Sequence, residues 1–277
     1  YGRSDPPWRA GLRNLSFTGR KHPTIPGLPF ESQCPEQANQ LLQSQMEETI
    51  RQDEMKIRKD IDKIWDVAMK YSDCWNAFSD FVRKHFVPIE ALQVRQQAKT
   101  IVNALKSDEN KSQLNTPRKL NLILDALGEE GILLDIVHAD GEYQFTFKNE
   151  TIKNCLCEGG SFLELYTYYH EKENSDECKT GVHLDWDGIV HSEAGEDVLN
   201  EIDVLSLKGY VPTFISCKSG RMDLSHNILH ALYELDAVAK RFGGKYAKKI
   251  LATIQMPGSI YVERAQEMGI KIRNKEP

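Results

Sequence analysis

With 277 residues, a net charge of −6 and 40% hydrophobic content, the chain has room for about two domains around a sizeable core and carries no excess of basic residues. A broad cationic surface for nucleic acid is therefore excluded, and any such contact must come from a local, salt-sensitive patch. No apolar run approaches a membrane span, no signal peptide opens the chain, and six scattered cysteines without a Cys-X-X-Cys pair argue against structural zinc and for a reducing cytoplasm.

The chain begins at Tyr1 rather than methionine, which reads as a fragment. Residues 1–35, rich in proline and glycine, read as a linker or extended arm. From Pro35 to about His85, Met46, Ile50, Ile57, Ile61, Ile64 and Val67 form one apolar stripe with dense charge opposite. That is an amphipathic helix, either a dimerising connector or one packed on its own domain. Pro88 predicts a helix over about 88–106, and Thr116-Pro117, a cap followed by an N1 proline, opens another over 117–127 that ends at Gly128. Strands over 132–138 and 142–148 meet at Asp140-Gly141, a hairpin signal. Helix, helix, hairpin makes 36–150 a helical, winged-helix-like connector. Arg118 and Lys119 are thin for groove binding, which favours a spacer role.

Residues 151–277 form the last predicted domain. Gly159-Gly160 breaks the chain, and Ser161 starts a helix over 162–171 in which Glu164 is either the capping-box partner of Ser161 or a functional acid. Residues 181–190 alternate Val182, Leu184 and Trp186 against His183, Asp185 and Asp187, a half-buried strand. Its acids are ordinary outward charges or metal-facing ones. The stretch Glu201–Lys218 then reads as a hairpin, with runs 201–207 and 211–217 joined by Lys208-Gly209-Tyr210. Side-chain alternation places Ser216 and Lys218 on one face and Cys217 on the other, and can bring Asp203 beside Lys218. A helix over 227–241 carries Ile228, Leu232, Leu235 and Phe242, with Glu234 at the border of the stripe. His226 and His230, at i and i+4, lack a third ligand for zinc. The segment Lys240–Lys249 is concentrated in basic residues. It offers Arg241, Lys245, Lys248 and Lys249 to phosphates and Tyr246 to a base. The plainer reading is a helix cap at Gly243 with solvated lysines before a strand at 249–254. A closing helix near 261–269 and a short strand end the chain.

Asp203…Ser216-Cys217-Lys218 resembles the D…(D/E)-X-K signature of the PD-(D/E)XK nucleases. The wider text, Gly159–Tyr166, His183–Asp187, Asn200–Val204, Phe214–Gly220 and Arg241–Lys249, is similar to one branch, the CRISPR-associated nucleases that couple such a domain to a CARF sensor. The likeness covers about 115–277. It implies an α/β (α+β) fold, a mixed sheet flanked by helices, and a metal-dependent endonuclease using Mg²⁺ or Mn²⁺. Asp203, a second carboxylate from Glu164 or Glu234, and the Cys217 carbonyl would be the ligands, with Lys218 assisting the attacking water. Single-stranded DNA or RNA as substrate, a homodimer, and activation by cyclic oligoadenylate are also implied, although no CARF domain is evident in this chain. One position departs from the signature. Ser216 stands where an acid belongs, and a hydroxyl is a poor substitute for a charged ligand. The missing acid would come from Glu234 on the next helix, with Asp223 in the intervening loop as rival. The same departure motivates a second reading, a catalytically inert nucleic-acid-binding or assembly module.

Overall fold

The computed structural model describes residues 35–107, 114, 116–138, 141–185, 199–219 and 225–274. Two compact units, 1–57 and 58–277, divide the chain. The arm expected over 1–35 lies almost wholly outside the described residues.

Two helices occupy the stretch expected to be one: α1 (Pro35–Lys70) and α2 (Trp75–His85). The turn between them has a local and a distant cause. The Tyr71 carbonyl accepts the Cys74 N–H at 3.0 Å, and the Ser72 carbonyl is taken by Gln255 Nε2 at 2.7 Å. Ile61, Ile64 and Val67 of the predicted stripe are buried.

The helix expected over 88–106 is corrected. Residues Gln93–Gln97 form strand β1, and only Ala98–Ser107 are helical (α3). Ala91 turns at φ 43, and Val94 is fully buried where β1 pairs with Phe145. Tertiary pairing overrides the helical preference of this glutamine-rich run. Helix α4 (Pro117–Glu129) begins as expected, the Thr116 side chain accepting the Lys119 N–H. It closes at Gly131, φ +68, rather than at Gly128. Strands β2 (Leu133–Val137) and β3 (Glu142–Phe147) pair antiparallel, giving a three-stranded sheet in the order β1-β3-β2. Asp140 of the predicted turn lies outside the described residues, and Gly141 takes φ +81.

Helix α5 (Glu150–Cys157) precedes α6 (Gly159–Asn174), so Gly159 and Gly160 form the first turn of a helix rather than a break. Ser161 is inside that helix and donates to Glu158 Oε2 at 3.0 Å. This removes the capping-box reading of Glu164. Rings from both sides hold α6 in place. Trp65 stacks on Tyr166 at 4.0 Å, and Trp75 meets Phe162 at 5.9 Å. His170 lies 3.2 Å from Asp62, and Arg58 pairs with Glu173.

The five-stranded sheet runs β4 (Glu177–Asp185), β5 (Leu199–Lys208), β6 (Val211–Lys218), β7 (Lys248–Thr253), β8 (Ile270–Arg273), in that order. The first three strands are antiparallel, and β6, β7 and β8 are parallel. Helices α7 (Ser225–Val238) and α8 (Ser259–Glu267) supply the crossovers that parallel strands need. The expected mixed sheet flanked by helices is therefore present. Trp186 and Asp187 of the predicted β4 strand lie outside the described residues. On one face α6 reaches Ser206 through Glu171 (3.0 Å) and Cys217 through Thr167 (3.6 Å). On the other, Ile228, Ala231, Leu232 and Leu235 of α7 pack with Phe214 and Leu251.

The α7 stripe is as expected except at its end. Helix α7 runs into a π-helical turn, Ala239–Gly243, which turns Phe242 outward to 37% exposure. A methyl on Gly243 would come within 2.6 Å of Ala247 Cβ and into the Phe214 ring. Gly243→Ala is expected to lower the urea midpoint by an amount worth about 1–3 kcal/mol, the range for forced overpacking.

Beyond the turn, Lys249 is 13% exposed and donates to Asp236 Oδ1 at 2.7 Å and to the Met268 carbonyl. Lys240 reaches the same carboxylate at 2.7 Å. Burial alone would raise the Asp236 carboxyl, but the two lysines outweigh it and hold it below the usual carboxylate range. A depressed folded value means the stabilisation is complete above the unfolded aspartate value, about 3.9, and is lost as pH falls through the folded value. Asp236→Asn should therefore destabilise the protein at neutral pH, and the gap from wild type in thermal melts should close below about pH 4.

Candidate active site at the end of the hairpin

The hairpin forms as its sequence predicts, with one adjustment. Lys208 pairs with Val211, so the connection is the two residues Gly209-Tyr210, and Gly209 supplies φ +60. Gly209 is also fixed from outside, its N–H donating to Asp176 Oδ2 at 2.6 Å.

At the far end the ladder between β5 and β6 stops at Val204↔Ile215, and the next residue of β5 is Asp203. Opposite it on β4 is Gly181, φ +54, lying between the pairs Thr180↔Val204 and Val182↔Ile202. Freed from regular pairing, the Asp203 carboxylate closes over β6. Its Oδ2 accepts the Cys217 N–H at 2.5 Å and the Ser216 hydroxyl at 3.2 Å, and stands 3.6 Å from Lys218 Nζ. All three contacts go to one oxygen, and Oδ1 takes none of them. Asp203 is 15% exposed and Lys218 41%, so the acid is recessed and the ammonium reaches solvent. Asp203 and Lys218 thus meet on a single surface, as alternation along the strands predicts. Ser216 has a visible task, because its hydroxyl orients the acid in place of being one.

Cys217 projects from the opposite face toward α6. Burial drives its thiol well above the ordinary cysteine value, and the charges of Asp203 and Glu164 push the same way. Lys218 and the Thr167 hydrogen bond oppose them. Glu164, one helical turn before Thr167 and half-buried, therefore acts on the same thiol as Asp203 and Lys218. The structure brings Asp203, Ser216 and Lys218 together, and Glu164 stands on the helix that packs against the opposite, Cys217 face. Thr167 was not singled out in the sequence, although its place three residues after Glu164 puts it on the same helix face.

The other expected residues stand elsewhere. Glu234 accepts from Asn200 Nδ2 at 3.1 Å and lies 3.6 Å from His230 Nδ1, and among the described residues no contact joins it to Asp203 or Lys218. His230 is exposed, while Asp223, Asp187 and the side chains of Asp185 and His226 lie outside the described residues. In the basic segment Lys245, Lys248 and Tyr246 are exposed, Tyr246 at 75%, and Arg241 is exposed with a partner of its own. Lys249 is not a free surface cation, because Asp236 and the Met268 carbonyl hold it beneath the surface.

Among the described residues no cluster of three or more His, Cys, Asp or Glu side chains is close enough to enclose a metal ion. The contacts of the site establish one carboxylate, Asp203, which fits a Mg²⁺ that keeps several waters and binds through one or two carboxylates together with substrate phosphates.

Residues 152–276 match the family model of the Card1-like endonuclease domain. The nuclease resemblance drawn from the motifs is therefore met by a family model over these residues. Among solved structures, protein VC1899 from Vibrio cholerae superposes with a TM-score of 0.52 at 18% identity, over 78% of this chain and 53% of its own. Can2 from Sulfobacillus thermosulfidooxidans, in complex with cyclic tetra-adenylate, gives a TM-score of 0.47 at 17% identity, over 79% of this chain and 52% of its own. The chain spans about half the length of these structures. No curated protein matches the chain. No described helix is long and apolar enough to cross a membrane.

A buried thiol held protonated is a poor nucleophile. In native protein at mildly alkaline pH, Cys217 should resist iodoacetamide while it labels fully in guanidinium, as peptide mass mapping would show.

Proposed function

We propose, from the match of residues 152–276 to the Card1-like endonuclease domain, that this chain is the effector part of a metal-dependent endonuclease acting on single-stranded DNA or RNA. The observation that carries the reading is Lys218 Nζ standing 3.6 Å from the recessed Asp203 carboxylate.

Asp203 and Glu164, with the Cys217 carbonyl, would hold Mg²⁺ or Mn²⁺. When bound, such an ion neutralises charge on the scissile phosphate and lowers the pKa of water. Ser216 Oγ and the Cys217 N–H fix Asp203 through Oδ2 and leave Oδ1 to face the ligand. The Lys218 ammonium orients the attacking water or stabilises the charge that develops as the phosphodiester breaks. Lys245, Lys248 and Tyr246 serve as an outlying contact for the strand, backbone and base respectively. Glu234 remains the reserve carboxylate, acting only if α7 shifts toward β5. Activation by cyclic oligoadenylate through a CARF domain, a homodimer, and work in the cytoplasm follow from the resemblance and form part of this proposal.

Asp203→Asn is expected to abolish metal-dependent cleavage of a fluorescent single strand, and Lys218→Ala to slow it about 10²–10³-fold, comparable with the loss of other electrostatic stabilisers. Cleavage that survives Asp203→Asn would refute the assignment. A second reading, an inert nucleic-acid-binding module, is favoured by the hydroxyl at Ser216. It predicts strand binding that is unaffected by chelation, with no turnover.

A further inference from the structure

One cavity lies next to the hairpin end and is untouched by the mechanism above. It has a volume of about 290 Å³ and is lined by Asn76, Ser79, Asp80 and Arg83 of α2, Cys157–Gly160 at the α5–α6 junction, and Ser219, which directly follows Lys218. We propose that this cavity is a second phosphate subsite that seats a backbone phosphodiester of the substrate strand beside the scissile one. The proposal rests on the nuclease reading and adds where the strand lies.

Three independent features supply donors. The first is the start of α6. Glu158 occupies its N-cap without making a side-chain cap, and the first amides of a helix have no partner within it. The N–H groups of Gly159, Gly160 and Ser161 therefore point outward at the positive end of a sixteen-residue helix. The second is Ser79, which is only 4% exposed and whose hydroxyl has no hydrogen-bond partner among the described residues. The third is Asn76, whose Nδ2 is buried without a partner. A buried donor is rarely left this way, so a missing ligand is a physical explanation of the Asn76 amide, while the Ser79 hydroxyl lines the cavity itself. Their aim is fixed by Gly159. A methyl there would stand 3.5 Å from Ser79 Oγ, 3.5 Å from Ser219 Oγ and 3.7 Å from Asn76 Oδ1, so the glycine keeps open the space these groups face. Turning the Asn76 amide over brings its unpartnered N–H₂ toward the same space.

Charge decides what kind of phosphate fits. Arg83 is paired with Asp80 at 2.7 Å, and the Glu158 carboxylate accepts from Ser161 Oγ, so the lining carries one cation against two anions. Free phosphate is not attracted by such a lining. A singly charged diester already tethered at Lys218 is, because neutral donors and the helix end then act on it at close range. The cavity thus sets the register of the strand rather than its overall affinity.

The test uses the full chain and a fluorescein-labelled single strand of about twenty nucleotides, followed by anisotropy without divalent metal. Ser79→Ala, which removes one neutral donor, should weaken binding about fivefold. Gly159→Ala, whose methyl fills the space the phosphate would occupy, should weaken it at least as much, and neither should change the salt slope, because no Lys or Arg is removed. Neither should lower the thermal midpoint, since Ser79 gives up no protein partner and Gly159 accepts a methyl in ordinary contact. Glu158→Gln should tighten binding. On an abasic strand, which lacks only the stacking on Tyr246, both alanine variants should still weaken binding relative to wild type, and a strand with neutral methylphosphonate linkages should not bind. Unchanged affinity in both alanine variants, on the normal and the abasic strand alike, overturns the subsite. So does a wild type that binds no strand. A wild type that binds and responds as expected but cleaves nothing with Mn²⁺ leaves the subsite standing and refutes the nuclease reading.

Discussion

A single oxygen holds the centre of this molecule together. Asp203 Oδ2 takes the Cys217 N–H, the Ser216 hydroxyl and the approach of Lys218 at once, where the β5–β6 ladder has already ended. A recessed carboxylate is costly unless hydrogen bonds and an opposite charge compensate it, and here all of that compensation comes from one neighbouring strand. The strand end is therefore clamped where backbone pairing can no longer clamp it. All three contacts converge on the same atom, so the support of the strand end rests on one oxygen of one side chain.

Helix α6 carries the next layer of constraint. Its Glu171 joins Ser206 on β5 to Arg273 on β8, at 3.0 and 2.7 Å, and its Thr167 meets Cys217. Its outer side is stacked and paired with residues 58–75. Helices that precede the sheet domain are in this way tied to the Cys217-bearing face of the sheet, and a change in α1 or α2 has a short physical route to α6.

The hairpin was legible because its signals are local. Alternation of side chains, Gly209 at the turn and apolar neighbours on both strands fix its register without help from elsewhere, and the register fixes Asp203 against Lys218. The closing helix and strand were readable for the same reason. What misled were positions decided by distant partners. Gln93–Gln97 becomes a strand because β3 offers it an edge, and Lys249 leaves the surface because Asp236 approaches from another element. The choice between Glu164 and Glu234 depends on how two helices pack on opposite faces of one sheet, which helical periodicity does not encode. Ser161 resembled a cap because Gly159-Gly160 looked like a break, but a helix can begin on glycine when rings farther along hold it down. Ser79 and Asn76 gave no signal at all, since an unpartnered polar group can be recognised only once its neighbours are known.

The mixed sheet also orders events in time. Strands β4, β5 and β6 are neighbours in sequence, whereas β7 and β8 join only after helical crossovers have been made. Short closures cost less entropy than long ones, so the ribbon bearing the acid and the lysine can assemble first on a nascent chain. Until β7 arrives, one side of β6 is an unprotected edge open to stray pairing with other chains. Pro212, which lacks an N–H and lies just ahead of the first β6–β7 pair at Thr213, blunts the start of that edge.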